Sequence, residues 1–317
     1  MLRRLLLILL LLAPAVAPAQ DTPLRIVLGY PAGASSDILT RLLAEEMRQE
    51  LGRPVIVENK TGAGGIVGTQ AVKDAPKDGN TILLTPTATM AIFPHSYGAN
   101  LRYDPFKDFV PVAHVAGFQL GLAVGAGVPA KTLAEYVALV KKDPKAGYYA
   151  SAAAGSIPHF LGVMFAKAAG IDMVHVPYKG TAPALQALAA GEISAISTVV
   201  ADIATLVKSD KARLLATGGK KRSPQFPDVP TFREAGYDIE GESWYALFAP
   251  AGVPKEALDK LSAAAVQAMH KPALRQRVEA MGLEPTGLGP DELGAILKAD
   301  YDRWGPVIRA SGFRPNQ

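Results

Sequence analysis

The order of apolar and polar positions is clearest between Arg25 and Leu51. The apolar run RIVLG predicts a β-strand, and the small-residue loop YPAGASSD follows it. Apolar residues then recur at three- and four-residue steps, as on one face of a helix, at Ile38, Leu39, Leu42, Leu43, Met47 and Leu51. Ser35 or Ser36 can cap that helix, and Gly52 ends it. The stretch therefore predicts a strand, a loop and an amphipathic helix in that order.

This first loop has the properties of an anion site. It follows the carboxyl end of a strand and brings backbone N–H groups and serine hydroxyls to the start of a helix. The first N–H groups of a helix have no partner within it, and the helix dipole makes that end positive. The pattern thus predicts a site for a small anion such as a carboxylate.

The next segments continue the alternation of strand and helix. Strands are predicted at 54–58 and 81–85, with a helix at 66–74 between them. Such an order is typical of a parallel α/β sheet, in which the loops at the carboxyl ends of strands hold ligands. The segment from Thr85 to Thr87 lies at such an end.

The glycine-rich segment from Gly62 to Gly65 allows two interpretations. It imitates a dinucleotide-binding G-x-G-x-x-G motif, but Val67 stands where the third glycine belongs. The segment is either a tight turn that lets a helix pack closely on the sheet, or a backbone nest for an anion or a water molecule.

The tetrapeptide Ala-Gly-Val-Pro occurs at 126–129 and again at 251–254. Each copy follows an apolar, strand-like run and precedes an amphipathic helix. The match is either chance or a sign of paired crossings between two lobes. In the second case residues 20–122 and 246–317 form one discontinuous domain, and residues 123–245 form an inserted second domain. Two crossings would make a hinge.

The inserted segment repeats the opening pattern. A strand at 147–151 leads into the loop AAAGS, and Ser156 is predicted to cap a helix with Pro158 and His159 in its first turn. His159 could contact a ligand or make a structural bond, and the residues leave both possibilities open. Further strands are predicted at 173–177, 193–200 and 213–217, and the second of these ends near Thr198.

The first nineteen residues have the pattern of a cleavable signal peptide. Arg3 and Arg4 precede a leucine-rich core that is too short to span a membrane, and residues 17–19 fit the cleavage rule near Ala19. Export to the periplasm is therefore expected. Two of the 33 basic residues fall in this segment, so the mature chain is nearly balanced against its 29 acidic residues. The basic residues are dispersed, which argues against nucleic-acid binding.

The sequence disfavours several kinds of chemistry. It contains no cysteine, which excludes disulfides and thiol chemistry, and its histidines show no HExxH or paired metal spacing. It also lacks the G-x-S-x-G elbow of hydrolases. Ser156 lies near His159, but no acid partner is suggested for the pair. We therefore predict no catalytic residue, no metal and no cofactor.

Several segments resemble, in the same order, the signature segments of one family, the tripartite tricarboxylate transporter receptors, also called the TctC or Bug family. They are YPAGASSD, RLLAEEMRQELGRPVIVENKTGAGG, SAAAGSIPHF, HVPYKGTAPALQALAAGEI, KRSPQFPDVPTFREAGY and SWYALFAPAGVPKEAL. The resemblance implies an α/β, two-lobed periplasmic-binding-protein fold of type II-like flytrap form. It also implies a small carboxylate ligand, delivery to membrane transporter subunits, and a receptor that we expect to be a monomer.

The same resemblance implies a set of ligand-binding residues. The first loop would supply Tyr30, Ala32, Ala34, Ser35, Ser36 and Asp37. The second loop would supply Ser151, Ala152, Gly155, Ser156 and His159, and other strand ends would add Thr85, Thr87, Tyr178 and Thr198. Thr198 stands where the family often has an aspartate. The lack of that acid disfavours an amino-acid ligand and favours a mono- or dicarboxylate with an uncharged or aromatic body.

Two further functions remain open on the sequence alone. The closed, ligand-loaded form could dock on a periplasmic signalling ectodomain instead of a transporter. The chain could also be a secreted α/β enzyme, although no acid–base pair favours that function.

Overall fold

The computed structural model describes residues 22–313. The predicted signal peptide at 1–19 lies outside the described residues. Within residues 22–313, no helix combines the length and the apolar character needed to cross a membrane.

Strands and helices alternate along most of the described chain, as the hydrophobic pattern predicts. The strands are β1 (Leu24–Leu28), β2 (Val55–Asn59), β3 (Thr81–Pro86), β4 (Phe109–Gly125), β5 (Tyr148–Ser151), β6 (Val174–Pro177), β7 (Ala195–Val199), β8 (Ala212–Thr217), β9 (Glu242–Pro250) and β10 (Glu284–Leu288). The α-helices are α1 (Ser35–Leu51), α2 (Ile66–Lys73), α3 (Phe93–Tyr97), α4 (Leu133–Lys142), α5 (Ile157–Ala169), α6 (Thr181–Ala190), α7 (Val200–Lys208), α8 (Lys255–His270), α9 (Pro272–Ala280) and α10 (Pro290–Ser311). The helix expected near Pro129 begins at Leu133, because Thr132 accepts the capping bond from the Glu135 amide.

The strands form two groups that share β4. In the first lobe, β1 pairs in parallel with β2 and β3, and β9 runs antiparallel between β3 and β4. In the second lobe, β5 pairs in parallel with β6 and β7, while β7 and β8 run antiparallel to β4. Each lobe therefore contains parallel strands whose carboxyl ends are followed by loops and helices.

Strand β4 passes from one lobe to the other. Its residues from Phe109 to Gln119 pair with β9, and those from Leu120 to Val124 pair with β7. The change of partner lies slightly before the predicted boundary at 122/123. The two Ala-Gly-Val-Pro segments lie beyond Gly125 and Pro250, at the far ends of β4 and β9 and away from the crossing. The division into two domains at 122/123 and 245/246 stays a prediction.

Helix α1 shows how the apolar pattern positions the first loop. Leu39, Leu43 and Met47 are fully buried against the sheet. Ile38 belongs to the same apolar pattern but is 43% exposed and faces the cavity described below. Packing of the buried face fixes the helix on the sheet, so the start of the helix is held at the edge where β1 ends.

Candidate functional site

A cavity of about 620 Å³ lies between the two lobes. Its wall includes the loop after β1, the loop after β5 and residues at the end of β7. The predicted site residues on this wall are Tyr30, Ala32, Ala34, Ser35, Ser36, Ala152, Ser156 and Thr198. The structure thus brings the two predicted loops together at one cleft, and its volume is within the range of small-molecule sites.

The start of α1 is organised differently from the sequence-based expectation. Ala34 is the N-cap residue, and no side chain caps the helix, so the prediction that Ser35 or Ser36 does so is wrong. The amides of Asp37 and Ile38 both donate to the Ala34 carbonyl. The Ser35 amide donates to Oδ1 of Asp202, at 2.9 Å. Among the described residues, only the Ser36 amide of this first turn has no acceptor in the protein.

Asp37 supports the first loop from behind and does not line the cavity. Its carboxylate accepts bonds from the Gly33 amide at 3.0 Å, from Asn59 Nδ2 at 2.9 Å and from Arg41 Nε at 3.0 Å. Burial raises the pKa of Asp37, but the hydrogen bonds from Arg41, Asn59 and Gly33 outweigh it and hold the pKa below its usual value. Gly33 has a φ of +89°, which a side chain would oppose. These bonds support a positioning role for Asp37, and its ligand contact stays a prediction.

We expect Asp37→Asn to lower the free energy of unfolding by about 1–3 kcal/mol, because an amide cannot accept all three of these bonds. Since the folded pKa is lowered, the carboxylate contributes stability above its usual pKa and loses it as the pH falls through the folded value. Urea unfolding at pH 7 measures the difference. Asp74→Asn, at an exposed carboxylate on the same lobe, is the control. Equal losses in both variants would contradict the role of Asp37.

The second loop is held by a compact set of bonds at the start of α5. Ser156 is the N-cap residue, but its Oγ donates to the Ala153 carbonyl at 2.7 Å, so the predicted side-chain cap is wrong. The Gly155 amide donates to Nδ1 of His159 at 3.0 Å. Ser151 Oγ donates to the Ala153 carbonyl at 3.0 Å. Ser151, Gly155 and His159 hold the loop through these bonds and are not on the cavity wall, and their ligand contacts stay predictions.

Two histidines form the support of this loop. The rings of His159 and His175 stack with their centroids 4.0 Å apart, and His175 Nε2 lies 2.7 Å from Ser151 Oγ. Burial lowers the pKa of His159 to about 4 and that of His175 to about 3, and the neighbouring His159 adds to the shift of His175. Neutral His159 can accept the Gly155 amide at Nδ1. Of the two roles considered for His159, the geometry supports the structural bond.

The remaining predicted residues have structural partners instead of a place on the cavity wall. Thr87 Oγ1 accepts bonds from the Trp244 amide at 3.0 Å and from Ser243 Oγ at 2.9 Å, which ties the end of β3 to β9. Thr85 is buried and bonds to Thr89. The Tyr178 amide donates to the Ser151 carbonyl at 2.9 Å. Thr85 and Thr87 are thus engaged within the protein, and the ligand contacts of Thr85, Thr87 and Tyr178 stay predictions.

The glycine-rich segment packs closely against the first strand. A Cβ on Gly29 would lie 2.6 Å from the Gly65 Cα, so Gly29 has no room for a side chain against the glycine-rich turn. The Gly65 amide donates to the Gly62 carbonyl within the turn. Tyr30 Oη donates to the Gly64 carbonyl at 2.8 Å. These contacts support the close-packing interpretation over the anion nest.

Sequence reasoning missed several residues of the cavity wall, above all Asp202, Phe118 and Tyr245. Phe118 and Tyr245 lie on apolar strands and have the pattern of ordinary core residues, yet their rings stack 4.4 Å apart at the cavity. Asp202 lies in the first turn of α7, which starts directly after β7, and this position at a helix start could have identified it. Thr198 replaces the aspartate that is common in the family, but Asp202 supplies an acid to the cleft from α7.

The electrostatics of the cavity depend on few charged groups. Among the described residues on its wall, Asp202 is the only acid and Lys208, which is exposed, is the only base. No arginine lines it, and residues 22–313 contain no cluster of acidic and histidine side chains suited to a metal ion. Recognition of an anion here would rest on amides and hydroxyls.

The protein has two lobes that share one strand, and its cavity lies between the loops at the strand ends of the two lobes. These features place it in the class of two-lobed periplasmic binding proteins. The sequence of residues 39–313 matches the family model of the tripartite tricarboxylate transporter receptors. The chain belongs to this family.

Individual relatives cover nearly the whole chain. The chain is 37% identical over 307 residues to a UPF0065 protein in the gbd 5' region of Cupriavidus necator, covering 96% of this chain and 93% of the relative. The structure of Rpa4515 from R. palustris with adipate has a TM-score of 0.88 at 27% identity, covering 93% of this chain and 99% of that one. The structure of MatC from Rhodopseudomonas palustris with bound malate has a TM-score of 0.84 at 29% identity, covering 91% of this chain and 99% of that one.

Proposed function

We propose that this chain is a periplasmic solute-binding receptor, not an enzyme, that captures a small carboxylate between its lobes. It is exported by its signal peptide, acts as a monomer and delivers its ligand to membrane subunits of a tripartite tricarboxylate-type transporter. The observation that carries the proposal is the meeting of two helix-start loops, one from each lobe, at a single cavity whose wall has no arginine among the described residues. The adipate and malate bound by the two R. palustris proteins support a carboxylate ligand.

The proposed capture depends on amides that lack partners within the protein. The Ser36 amide at the start of α1 and the Ile157 amide at the start of α5 lie on the cavity wall and precede the first intrahelical bonds of their helices. Charge-assisted bonds to a carboxylate are worth about 1.5–3 kcal/mol each before ordering costs. Because the two helix starts lie in different lobes, both contribute only when the cleft is closed, and binding therefore favours the closed form.

The apolar side chains on the cavity wall favour a mono- or dicarboxylate with an apolar or aromatic body. Phe118 and Tyr245 stack on one side, and Leu120, Leu185 and Ile38 add apolar surface. An apolar ligand body buried against these side chains would gain about 25 cal/mol per Å² of surface removed from water.

Two hydrogen bonds argue against a catalytic role for Ser156 and His159. Ser156 Oγ donates to a backbone carbonyl, and His159 Nδ1 accepts a backbone amide. A nucleophile and its base would instead bond to each other. The pair is thus engaged in holding the loop.

A calorimetric screen tests the proposal. Purified mature protein is titrated with aliphatic dicarboxylates, aromatic carboxylates and amino acids, and we expect at least one to bind with micromolar affinity, about −8 kcal/mol. Uncharged amides of the same acids serve as controls, since they lack the carboxylate. No heat and no thermal shift with any carboxylate would refute the proposed function.

A further inference from the structure

Asp202 is the feature of the cleft that the proposed capture of a carboxylate leaves unused. It lies in the first turn of α7, in the second lobe, and its Oδ1 accepts the Ser35 amide of the first lobe across the cleft. Its side chain is partly buried and lines the same cavity as the two loops.

The carboxylate of Asp202 has neutral hydrogen-bond donors and the positive end of α7, but no side chain of opposite charge among residues 22–313. Burial raises its pKa, whereas the backbone amide of Ser35 and the hydroxyls of Ser35 and Thr181 lower it as hydrogen-bond donors. All of these donors are neutral. No lysine, arginine or histidine of residues 22–313 forms an ion pair with Asp202, and none contributes to its pKa. A partly buried charge without a partner of opposite sign is costly, so its retention on a cavity wall points to a ligand that supplies the partner.

A plain carboxylate cannot supply that partner. It would add a second negative charge to a cavity in which Asp202 already occupies one amide at the start of α1. Like charges that share a site of lowered dielectric repel one another, and a dicarboxylate would bring two such charges. A carboxylate that also has an ammonium group avoids this conflict, because its own charges cancel and the ammonium can face Asp202.

We propose that Asp202 binds the ammonium group of an amino-carboxylate ligand and so determines which carboxylates the cleft accepts. The inference rests on the proposed function, since it names the ligand class of the same cleft. In this arrangement the ligand carboxylate takes the amides of Ser36 and of the α5 start, and the ligand body lies toward Phe118 and Tyr245.

Matched pairs of ligands test this selectivity by titration calorimetry. The pairs are succinate with aspartate, adipate with 2-aminoadipate, and 3-phenylpropanoate with phenylalanine. Each pair differs by one ammonium group. We expect the tightest-binding pair to favour its amino member at least tenfold in the wild-type protein.

The variant Asp202→Asn removes the charge and keeps an oxygen that can accept the Ser35 amide. We expect it to bind the amino member at least tenfold more weakly than the wild type, with no loss for the plain acid. Asp210→Asn, at an exposed position just beyond α7, removes one charge from the same lobe and should leave both affinities unchanged. The thermal midpoint of Asp202→Asn shows that the variant is folded before its affinities are compared. Asp202→Ser is the second variant.

Each outcome is decisive. Plain acids that bind as tightly as their amino partners in every pair would overturn the role of Asp202 and leave the proposed function standing. A preference that survives in Asp202→Asn or Asp202→Ser would also overturn it. If no member of any pair binds, the proposed function fails together with the inference. If both variants fail to fold, the affinities of the plain and amino members of each pair for the wild-type protein decide whether the cleft selects amino-carboxylates.

Discussion

Replacing Ser156 by tryptophan is expected to abolish ligand binding while the protein remains folded. Ser156 lies on the cavity wall at the start of α5, where a ligand carboxylate would meet the helix amides. An indole ring at this position would fill the space between the two loops and block closure around a ligand. We expect the affinity to fall at least a hundredfold, equivalent to about 2.7 kcal/mol. Calorimetry with the tightest ligand of the screen measures the loss.

A matched substitution separates blocking of the cleft from a general effect of tryptophan. Ser209→Trp adds the same ring at an exposed site at the end of α7 and should bind like the wild type. Ser156→Ala, which removes only the bond from Ser156 Oγ to the Ala153 carbonyl, should bind with a smaller loss. Unchanged affinity in Ser156→Trp would place Ser156 outside the binding site.

Acidification is expected to destabilise the folded protein well before its carboxylates are protonated. His159 and His175 have folded pKa values of about 4 and about 3, against 6.5 for a free histidine. Between these values the unfolded chain binds more protons than the folded one, so the free energy of unfolding decreases as the pH falls. From pH 7 to pH 4.5 we expect a loss of about 2 kcal/mol for each of these histidines. Urea unfolding at several pH values measures the slope.

The histidine variants test the origin of this slope. His159→Gln removes one titrating ring from the stack and should flatten the pH dependence by about 2 kcal/mol over this interval. His270→Gln changes an exposed histidine at the end of α8 and should retain the wild-type slope. If all three proteins showed the same slope, the buried histidines would not be its source. A loss of ligand affinity below pH 4.5 would accompany the effect, because protonated His159 can no longer accept the Gly155 amide.

Predictions from the sequence succeeded where short-range patterns decide the outcome. The three- and four-residue steps from Ile38 to Leu51 correspond to α1, and the strands predicted at 81–85 and 213–217 correspond to β3 and β8. The cavity wall includes residues of both predicted loops, because loops at the carboxyl ends of parallel strands converge in this architecture.

The sequence-based predictions failed where a hydroxyl or an amide has several hydrogen-bond acceptors nearby. Ser35, Ser36 and Ser156 are of a residue type that often caps helices. Instead, Ser156 Oγ donates to a backbone carbonyl, and the Ser35 amide donates to the carboxylate of Asp202 in the other lobe. Ser151 ends β5 and His159 lies in the first turn of α5, and both are buried behind the loop that joins these elements. Local sequence gives no information on which of several nearby acceptors a hydroxyl or an amide will find.

The sequence by itself determined the strands, the helices, the two helix-start loops and the family, since these depend on periodicity and on residues adjacent in the chain. Only the tertiary structure decided what faces the cleft. Asp202 meets the amide of Ser35, which is 167 residues away, because β4 joins the lobes and α7 starts at the end of β7. The physical reason is that charge compensation in a cavity depends on distances in space, and those follow from the packing of whole lobes.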